Sequence, residues 1–348
     1  MSRRALIYGD FREYRLAASY ERAMAALGWE VFSFDTWGER HRLSWWLRNR
    51  WTHRLTVKSA AARRVGCNAY SAAFQRRIRE TKPDLVFILN GELLWPDSIA
   101  AAKASGARVA IFHPDNPLPG NYANRPETLP LAREADVYLV WSDELVRELR
   151  SRGFGKAHFM PFGWDPEAFP YHPPATPKDF DVAFVGGWDP AREELLNKVA
   201  ARFPLRIWGP PYWDTRTSRG GVCRGRWQGH ELAPTAAAEV ISRAKITLNV
   251  LRDQHVIGGR PDGVIMRTFE VPGAGGFLLS TRTPTAVRLF PEREAGAYFG
   301  GAAECVEMID FYLADDALRN RIAQTAHALV EGQHRYENRV RELVELVG

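Results

Sequence analysis

Short apolar runs alternate with amphipathic stretches along the first half of the chain. The runs are rich in β-branched and aromatic residues and therefore predict buried strands. The stretches between them place apolar residues three and four positions apart, which is typical of helices that pack one face against a sheet. Strands that alternate with helices predict a parallel sheet with helices on both faces. The predicted strands are 4–8, 30–34, 84–89, 108–112 and 137–141, and the predicted helices include 16–27, 97–104 and 143–152.

The same alternation starts again after a proline-rich stretch. Six prolines lie between residues 160 and 178, and beyond them apolar runs at 181–185, 205–208, 245–250 and 276–280 predict a second sheet. A chain of 348 residues has the length of two such domains. We therefore predict two α/β, Rossmann-like domains that face each other across a cleft. The predicted parts are an N-terminal acceptor-side domain (1–165), a linker (166–178), a C-terminal domain (179–330) and a final helix (331–348) that packs back on the first domain.

Composition narrows the class of protein. The sequence is 45% hydrophobic and 25% charged, which is typical of a folded chain with a sizeable core. The three cysteines (67, 223 and 305) are far apart and show no C-x-x-C spacing, so neither a disulfide framework nor a zinc site is indicated. No apolar run reaches the length of a membrane-spanning helix, and the first residues lead into a strand pattern instead of a signal peptide. We expect a cytoplasmic protein.

The net charge of +6 comes from one segment. Twelve Lys or Arg and one acidic residue lie between Arg40 and Lys82, so this segment carries +11 and the rest of the chain −5. We call 37–82 the basic tract, and its first part, 37–55, sets Trp45, Trp46 and Trp51 among five arginines. This composition suits contact with an anionic membrane surface or with the acceptor. Single-stranded nucleic acid fits less well, and a surface helix with inward tryptophans explains the same pattern.

A glycine turn follows the first strand of the second domain. Gly186 and Gly187 allow a close approach of the backbone, and the helix that follows carries Arg192 in its first turn. Backbone amides at a helix N-terminus bind anions, so the turn is a candidate phosphate site, although many glycine turns are only tight connections. It matches neither G-x-G-x-x-G nor the P-loop pattern.

A second candidate segment, 266–279, brings a charged helical turn to a buried strand. Its Glu270 could accept two hydrogen bonds from a ribose diol. The spacing equally predicts an ion pair between Glu270 and Arg267.

Four segments together resemble a GT-B glycosyltransferase of the CgeB (spore maturation) type, in the group 1 glycosyltransferases. These segments are 266–279, 160–169, 184–187 with Arg192, and 113–117. The resemblance covers most of the chain, with its motifs mainly in the second half. It implies a hexosyltransferase-like enzyme that takes a sugar from a nucleotide-sugar donor in the C-terminal domain. The acceptor would be a hydroxyl of a glycan, a lipid-linked molecule or a protein. The donor residues that the resemblance implies are Glu270 at the ribose, Gly186, Gly187, Arg192 and Arg267 at the diphosphate, and Trp208 with Gly209 at the base.

The sequence leaves open whether the enzyme retains or inverts the configuration of the transferred sugar. Related retaining enzymes carry E-x7-E, whereas the residue eight positions before Glu270 is Asp262, a shorter acid. An inverting enzyme needs a general base on the acceptor side. Asp10, Glu92 and Asp115 each follow a first-domain strand. We favour Asp115 because its proline-flanked loop is rigid, with His113 orienting or replacing it.

No cofactor beyond the nucleotide-sugar co-substrate is expected, and no metal, since cationic side chains and helix dipoles can neutralise a leaving diphosphate. Asp179-Phe180-Asp181 has the D-x-D form of metal-dependent transferases, but it precedes a strand instead of following one. Two alternatives remain: a non-catalytic protein that binds RNA or an anionic membrane through the basic tract, and a nucleotide-sugar epimerase of the same fold.

Overall fold

The structure is a computed structural model that describes residues 3–12, 16–43, 60–121, 124–173, 178–218 and 220–348. It divides into two compact units. The first unit is Met1–Met160 with Tyr336–Gly348, and the second is Pro161–Arg335.

The first unit is built on a six-stranded, all-parallel sheet. Its strands are β1 (Arg4–Gly9), β2 (Glu30–Asp35), β3 (Leu85–Leu89), β4 (Arg108–Phe112), β5 (Val137–Val140) and β6 (Ala157–Phe159). They lie in the order β2-β1-β3-β4-β5-β6. The apolar runs predicted as strands form five of them, and the short β6 had no comparable run. The helices are α1 (Leu16–Ala26), α2 (Thr36–Leu43), α3 (Ala60–Thr81), α4 (Pro96–Ala104), α5 (Thr128–Glu134), α6 (Asp143–Ser151) and the last helix, α14 (Tyr336–Val347).

Burial on both faces explains why the central strands are apolar throughout. Every residue of β3 is buried, as expected for a parallel strand covered by helices on both sides. The last helix packs on this sheet through aromatic contacts. The Tyr20 ring of α1 lies edge-on to the Phe87 ring of β3, with centroids 4.7 Å apart, and to the Tyr336 ring of α14, with centroids 5.0 Å apart. α14 thereby closes the core of the first unit.

The second unit has a five-stranded, all-parallel sheet. Its strands are β7 (Phe180–Val185), β8 (Leu205–Trp208), β9 (Ala244–Asn249), β12 (Leu278–Thr281) and β13 (Ala297–Phe299), in the order β13-β12-β9-β7-β8. A separate antiparallel hairpin pairs β10 (Val256–Ile257) with β11 (Arg260–Pro261). Its helices are α7 (Pro190–Ala200), α8 (Tyr212–Thr215), α9 (Pro234–Arg243), α10 (Arg267–Gly273), α11 (Pro284–Leu289), α12 (Ala302–Leu313) and α13 (Asp316–Gln333), with 3₁₀ turns at Val222–Arg226 and Asp253–His255.

The proline-rich segment is part of the second unit, which corrects the predicted linker at 166–178 and the boundary at 165. Trp164 anchors it: its backbone N–H donates to the His334 carbonyl (2.7 Å) and its indole Nε1–H to the Phe169 carbonyl (2.8 Å). Gly273 lies so close to the Trp164 ring that a Cβ there would be 2.3 Å from it. Prolines indicate where a chain is stiff, and they do not distinguish a free linker from a packed strap. Pro174 and Pro177 lie outside the described residues.

Candidate functional site

The ends of β7 and β8 touch at two glycines. The Gly186 N–H donates to the Trp208 carbonyl (2.9 Å), and a Cβ at Gly209 would lie only 2.2 Å from the Gly186 oxygen. Trp213 closes the turn because its indole N–H donates to the same oxygen (2.9 Å). The predicted glycine turn therefore has a packing reason, and it brings the backbone after β7 to the carboxyl end of the sheet, where ligands of open parallel sheets bind.

Arg192 is buried beneath this turn. Asp189 caps its helix, α7, by accepting from the Ala191 N–H (3.1 Å), and Pro190 occupies the first turn. The guanidinium donates through Nε to the Val250 carbonyl (2.7 Å) and through Nη1 to the Gly187 carbonyl (3.0 Å). Arg192 therefore joins the ends of β7 and β9 and leaves its positive charge inside the site.

Arg252 is a second cation at this place, and the sequence analysis missed it. It follows β9, and its Nη2 lies 2.7 Å from the position that a Cβ of Gly187 would take. Its Nε is buried, and no described residue accepts a hydrogen bond from it. Burial, and then the charge of Arg252, lower the pKa of Arg192 to about 9. Arg252 lies three residues beyond the end of β9, and no local sequence pattern marks it.

Arg267 completes the cluster. Its Nε donates to the Val185 carbonyl at the end of β7 (3.0 Å), and its Nη1 pairs with Glu270 Oε2 one turn along α10. The Glu270 side chain is only 5% exposed. Burial raises the pKa of Glu270, and the neighbouring Arg267 opposes that shift. The ion pair that the spacing allowed is therefore present, and it engages only one of the two carboxylate oxygens.

Three guanidinium groups and one carboxylate thus gather at the carboxyl ends of β7 and β9. We call Arg192, Arg252, Arg267 and Glu270 the arginine cluster. Holding the three arginines together is electrostatically unfavourable, because the charges of Arg252 and Arg267 both lower the pKa of Arg192. Like charges held together in a partly buried site indicate a place that an anion would stabilise.

The end of β8 is largely occupied by the protein itself. The Trp208 side chain is 6% exposed and lies edge-on to Phe180, with ring centroids 5.4 Å apart. The Gly209 N–H donates to the His230 carbonyl (3.1 Å), and the Gly209 carbonyl accepts from Trp227 Nε1 (2.9 Å). A nucleobase at this edge could therefore donate hydrogen bonds to the remaining lone pairs of the Trp208 and Gly209 carbonyls. It would find no free N–H at Gly209.

The four candidate bases of the first unit fall into two groups. Asp10 and Glu92 line one cavity at the ends of β1 and β3, whereas His113 and Asp115 follow β4 and do not line it. His113 is fully buried, its Nδ1 lies 2.9 Å from the Asp115 carbonyl, and no described residue hydrogen-bonds its Nε2. Burial lowers the pKa of His113 and so favours its neutral form. The favoured pair, His113 and Asp115, thus lies apart from the cavity that Asp10 and Glu92 line.

The remaining acidic candidates have structural partners. Asp262 is buried and accepts a hydrogen bond from the Thr285 hydroxyl (2.9 Å). The two acids of the D-x-D segment form ion pairs with surface cations, Asp179 with Arg243 and Asp181 with Lys245. In the described part of the chain, no group of three His, Cys, Asp or Glu side chains could hold a metal ion.

The tryptophan-rich part of the basic tract, including Trp45, Trp46 and Trp51, lies outside the described residues. Within the described ranges, every helix is too short or too polar to span a bilayer.

Comparisons with known proteins agree with this geometry. Residues 192–345 match the family model described as glycosyl transferase-like. This supports the prediction of a glycosyltransferase at the level of that family. No curated protein is matched by sequence.

Similar solved structures cover the whole chain at low identity. One is sucrose-phosphate synthase from Thermosynechococcus elongatus (TM-score 0.69, 14% identity, 99% of this chain and 98% of that one). Another is HepE from Anabaena in complex with UDP (0.60, 12%, 99% and 100%). A third, from Listeria monocytogenes, is described as a UDP-N-acetylglucosamine 2-epimerase (0.57, 12%, 99% and 96%). At these identities they show the fold, which confirms the prediction of two Rossmann-like domains of the GT-B type.

Proposed function

We propose that this protein is a glycosyltransferase that moves a sugar from a nucleoside diphosphate sugar to an acceptor hydroxyl. The observation that carries the proposal is the arginine cluster at the carboxyl ends of β7 and β9. A diphosphate leaving group gains negative charge as the glycosidic bond to it breaks, and preformed cations stabilise that charge most when they are partly shielded from water. The match of 192–345 to the glycosyl transferase-like family supports the same assignment.

The described contacts suggest a division of roles. Arg252 and Arg267 hold the diphosphate, whereas Arg192, which is only 5% exposed and is anchored to the Val250 and Gly187 carbonyls, acts through its charge. The Glu270 oxygen that does not pair with Arg267 accepts from the ribose hydroxyls. Gly186 and Gly187 let the phosphates approach the backbone, and the carbonyls of Trp208 and Gly209 face the base.

The finer parts of the proposal follow from the sequence resemblance. We propose a CgeB-type, metal-independent enzyme of the cytoplasm, with a bacterial glycan, a lipid-linked molecule or a protein as its acceptor, and with peripheral membrane contact through the basic tract. UDP is the proposed nucleotide, because the HepE structure holds UDP.

Turnover of nucleotide sugars tests the proposal against both alternatives. The protein is incubated with UDP-glucose, UDP-N-acetylglucosamine and GDP-mannose in the presence of EDTA, and products are separated by chromatography. A glycosyltransferase releases nucleoside diphosphate slowly, by transfer to water, and Arg252→Gln should reduce that release. Exposed Arg321→Gln on α13 is the matched control. Conversion to an epimeric nucleotide sugar without release would indicate an epimerase, and unchanged donors with no nucleotide binding would favour a non-catalytic binding protein.

A further inference from the structure

A buried acid on α7 lies directly after Arg192. Glu193 is only 4% exposed. Its Oε2 accepts a hydrogen bond from the Trp188 indole N–H (2.8 Å), and its Oε1 accepts one from the Ser218 backbone N–H (2.8 Å). The Ser218 hydroxyl and the Asn197 amide donate to the same carboxylate. All of these donors are neutral groups, and together they engage both carboxylate oxygens.

The hydrogen bonds keep this buried carboxylate charged. Burial by itself would raise the pKa of Glu193, but the hydrogen bonds from Ser218, Trp188 and Asn197 outweigh it and hold the pKa below its usual range. An ionised carboxylate only accepts hydrogen bonds, with about four lone-pair sites, whereas a carboxamide has a single accepting oxygen and brings N–H donors of its own. The donors around Glu193 therefore match an ionised acid and do not match a glutamine.

Glu193 connects the two sides of the candidate donor site. Trp188 directly follows the glycine turn that the phosphates would approach. Ser218 ends the segment 209–218, which starts directly after β8 at the edge that would face the base. We call 209–218 the β8 segment. One carboxylate therefore holds both the phosphate side and the base side of the site.

The β8 segment and the chain beyond it are fixed at two further points. Trp213 of this segment donates its indole N–H to the Gly186 carbonyl in the glycine turn (2.9 Å). One helical turn along α7 from Glu193, the side-chain oxygen of Asn197 accepts from the Cys223 N–H (3.0 Å). The segment therefore packs on both the turn and α7, and Glu193 is the side chain that contacts both of the joined segments.

We propose that Glu193 is a positioning residue of the donor site, which holds the glycine turn and the β8 segment in one register so that the diphosphate and the base of a single nucleotide bind together. This rests on the proposed function, which supplies the nucleoside diphosphate. Glu193 is buried behind its donors and acts through Trp188 and Ser218. Two binding regions held in register bind a linked ligand more tightly than they bind its separate fragments.

Binding of UDP and of its two fragments by the full chain tests the inference. The fragments are uridine and inorganic diphosphate. Isothermal titration calorimetry measures UDP, and ligand-observed NMR measures the fragments. Glu193→Gln should weaken UDP binding about tenfold and each fragment less than about twofold, because each segment still binds its own fragment. Glu194→Gln changes the adjacent, exposed acid of the same helix and should leave all three affinities unchanged.

A spectroscopic measurement separates positioning from folding. The indole N–H resonance of Trp188 can be assigned in ¹H–¹⁵N spectra by its loss in Trp188→Phe. It should move upfield in Glu193→Gln, since the hydrogen bond to the carboxylate is lost, and stay in place in Glu194→Gln. Trp188→Phe keeps an aromatic ring and removes only the donor, so it should also weaken UDP binding more than it weakens either fragment.

Each contrary result identifies what fails. An unchanged UDP affinity in Glu193→Gln, or fragments weakened as much as UDP, overturns the positioning role, and the second result is what a residue needed only for folding would give. If urea unfolding shows that Glu193→Gln does not fold, the same comparison in Trp188→Phe decides. Fragments that do not bind the unmodified protein overturn the two-part site. An unmodified protein that binds no UDP overturns the proposed function instead.

Discussion

The carboxyl edges of the two sheets share a backbone plan and differ in chemistry. Each edge ends a parallel sheet covered by helices. In the first unit the described part of the edge carries Asp10 and Glu92 with Arg12, which pairs with Asp10, whereas in the second the edge carries three arginines with one buried carboxylate. The fold therefore decides where a ligand can bind, and a handful of side chains after the strands decides which ligand it is.

Truncation of Glu270 should have the largest effect. Glu270→Ala leaves Arg267 without its acid among three like charges, and breaking a buried ion pair costs about 3 kcal/mol. We expect a lower free energy of unfolding in urea and loss of UDP binding. Exposed Glu294→Ala is the control. An unchanged unfolding midpoint would show that the pair is unimportant to the second unit.

Adding a methyl group where β7 and β8 meet should have the next largest effect. A methyl group at Gly209 would meet the Gly186 oxygen, and such overpacking costs about 1–3 kcal/mol. Gly209→Ala should therefore lower the thermal midpoint and weaken UDP binding together. Gly155→Ala, whose Cβ meets nothing within 4 Å, should be tolerated. Equal midpoints for the two variants would contradict the described contact.

Neutralising Arg252 should separate stability from binding. Arg252→Gln removes a charge that disfavours the charged form of Arg192, so the ligand-free protein should become more stable by about 0.5 kcal/mol. The same change should weaken UDP binding about tenfold, which corresponds to about 1.4 kcal/mol. Differential scanning calorimetry and isothermal titration calorimetry measure the two quantities. A variant that loses stability and binds UDP normally would make Arg252 a structural residue.

The smallest effect should be on the pH dependence of the free energy of unfolding, measured by comparing the unmodified protein with Glu270→Gln. Burial raises the pKa of Glu270, so the folded protein holds that proton more tightly than the unfolded chain. Stability from this group is therefore present below its unfolded pKa and is lost as the pH rises through the raised folded value. The unmodified protein should lose stability relative to Glu270→Gln across that window in urea titrations. Parallel pH profiles would show that the pKa of Glu270 is not raised.

Most of the fold could be predicted because the strands are continuous apolar runs. Burial on both faces produces such runs, and 108–112 and 205–208 are strands with the predicted bounds. The short β6 and β13 carry too few residues for a pattern. The prolines of 166–178 predicted a linker, since tertiary contacts of Trp164 cannot be read from local sequence.

The site was predicted in part for a similar reason. Arg192, Arg267 and Glu270 stand in recognisable local patterns, and the structure places them together with Arg252 at the sheet edge. Arg252 belongs to no pattern, and only the pairing of β7 with β9 brings it to Gly187. Likewise, Asp10 and Glu92 are 82 residues apart and share a cavity because β1 pairs with β3.

Titration with UDP and with uridine tests the central claim most directly, because the two ligands differ only in the diphosphate. If the arginine cluster binds a diphosphate, isothermal titration calorimetry should show UDP binding at least a hundredfold more tightly than uridine, which is about 2.7 kcal/mol. The difference should shrink in Arg252→Gln and persist in Arg321→Gln. Equal affinities for UDP and uridine, or no binding of UDP, would contradict the account.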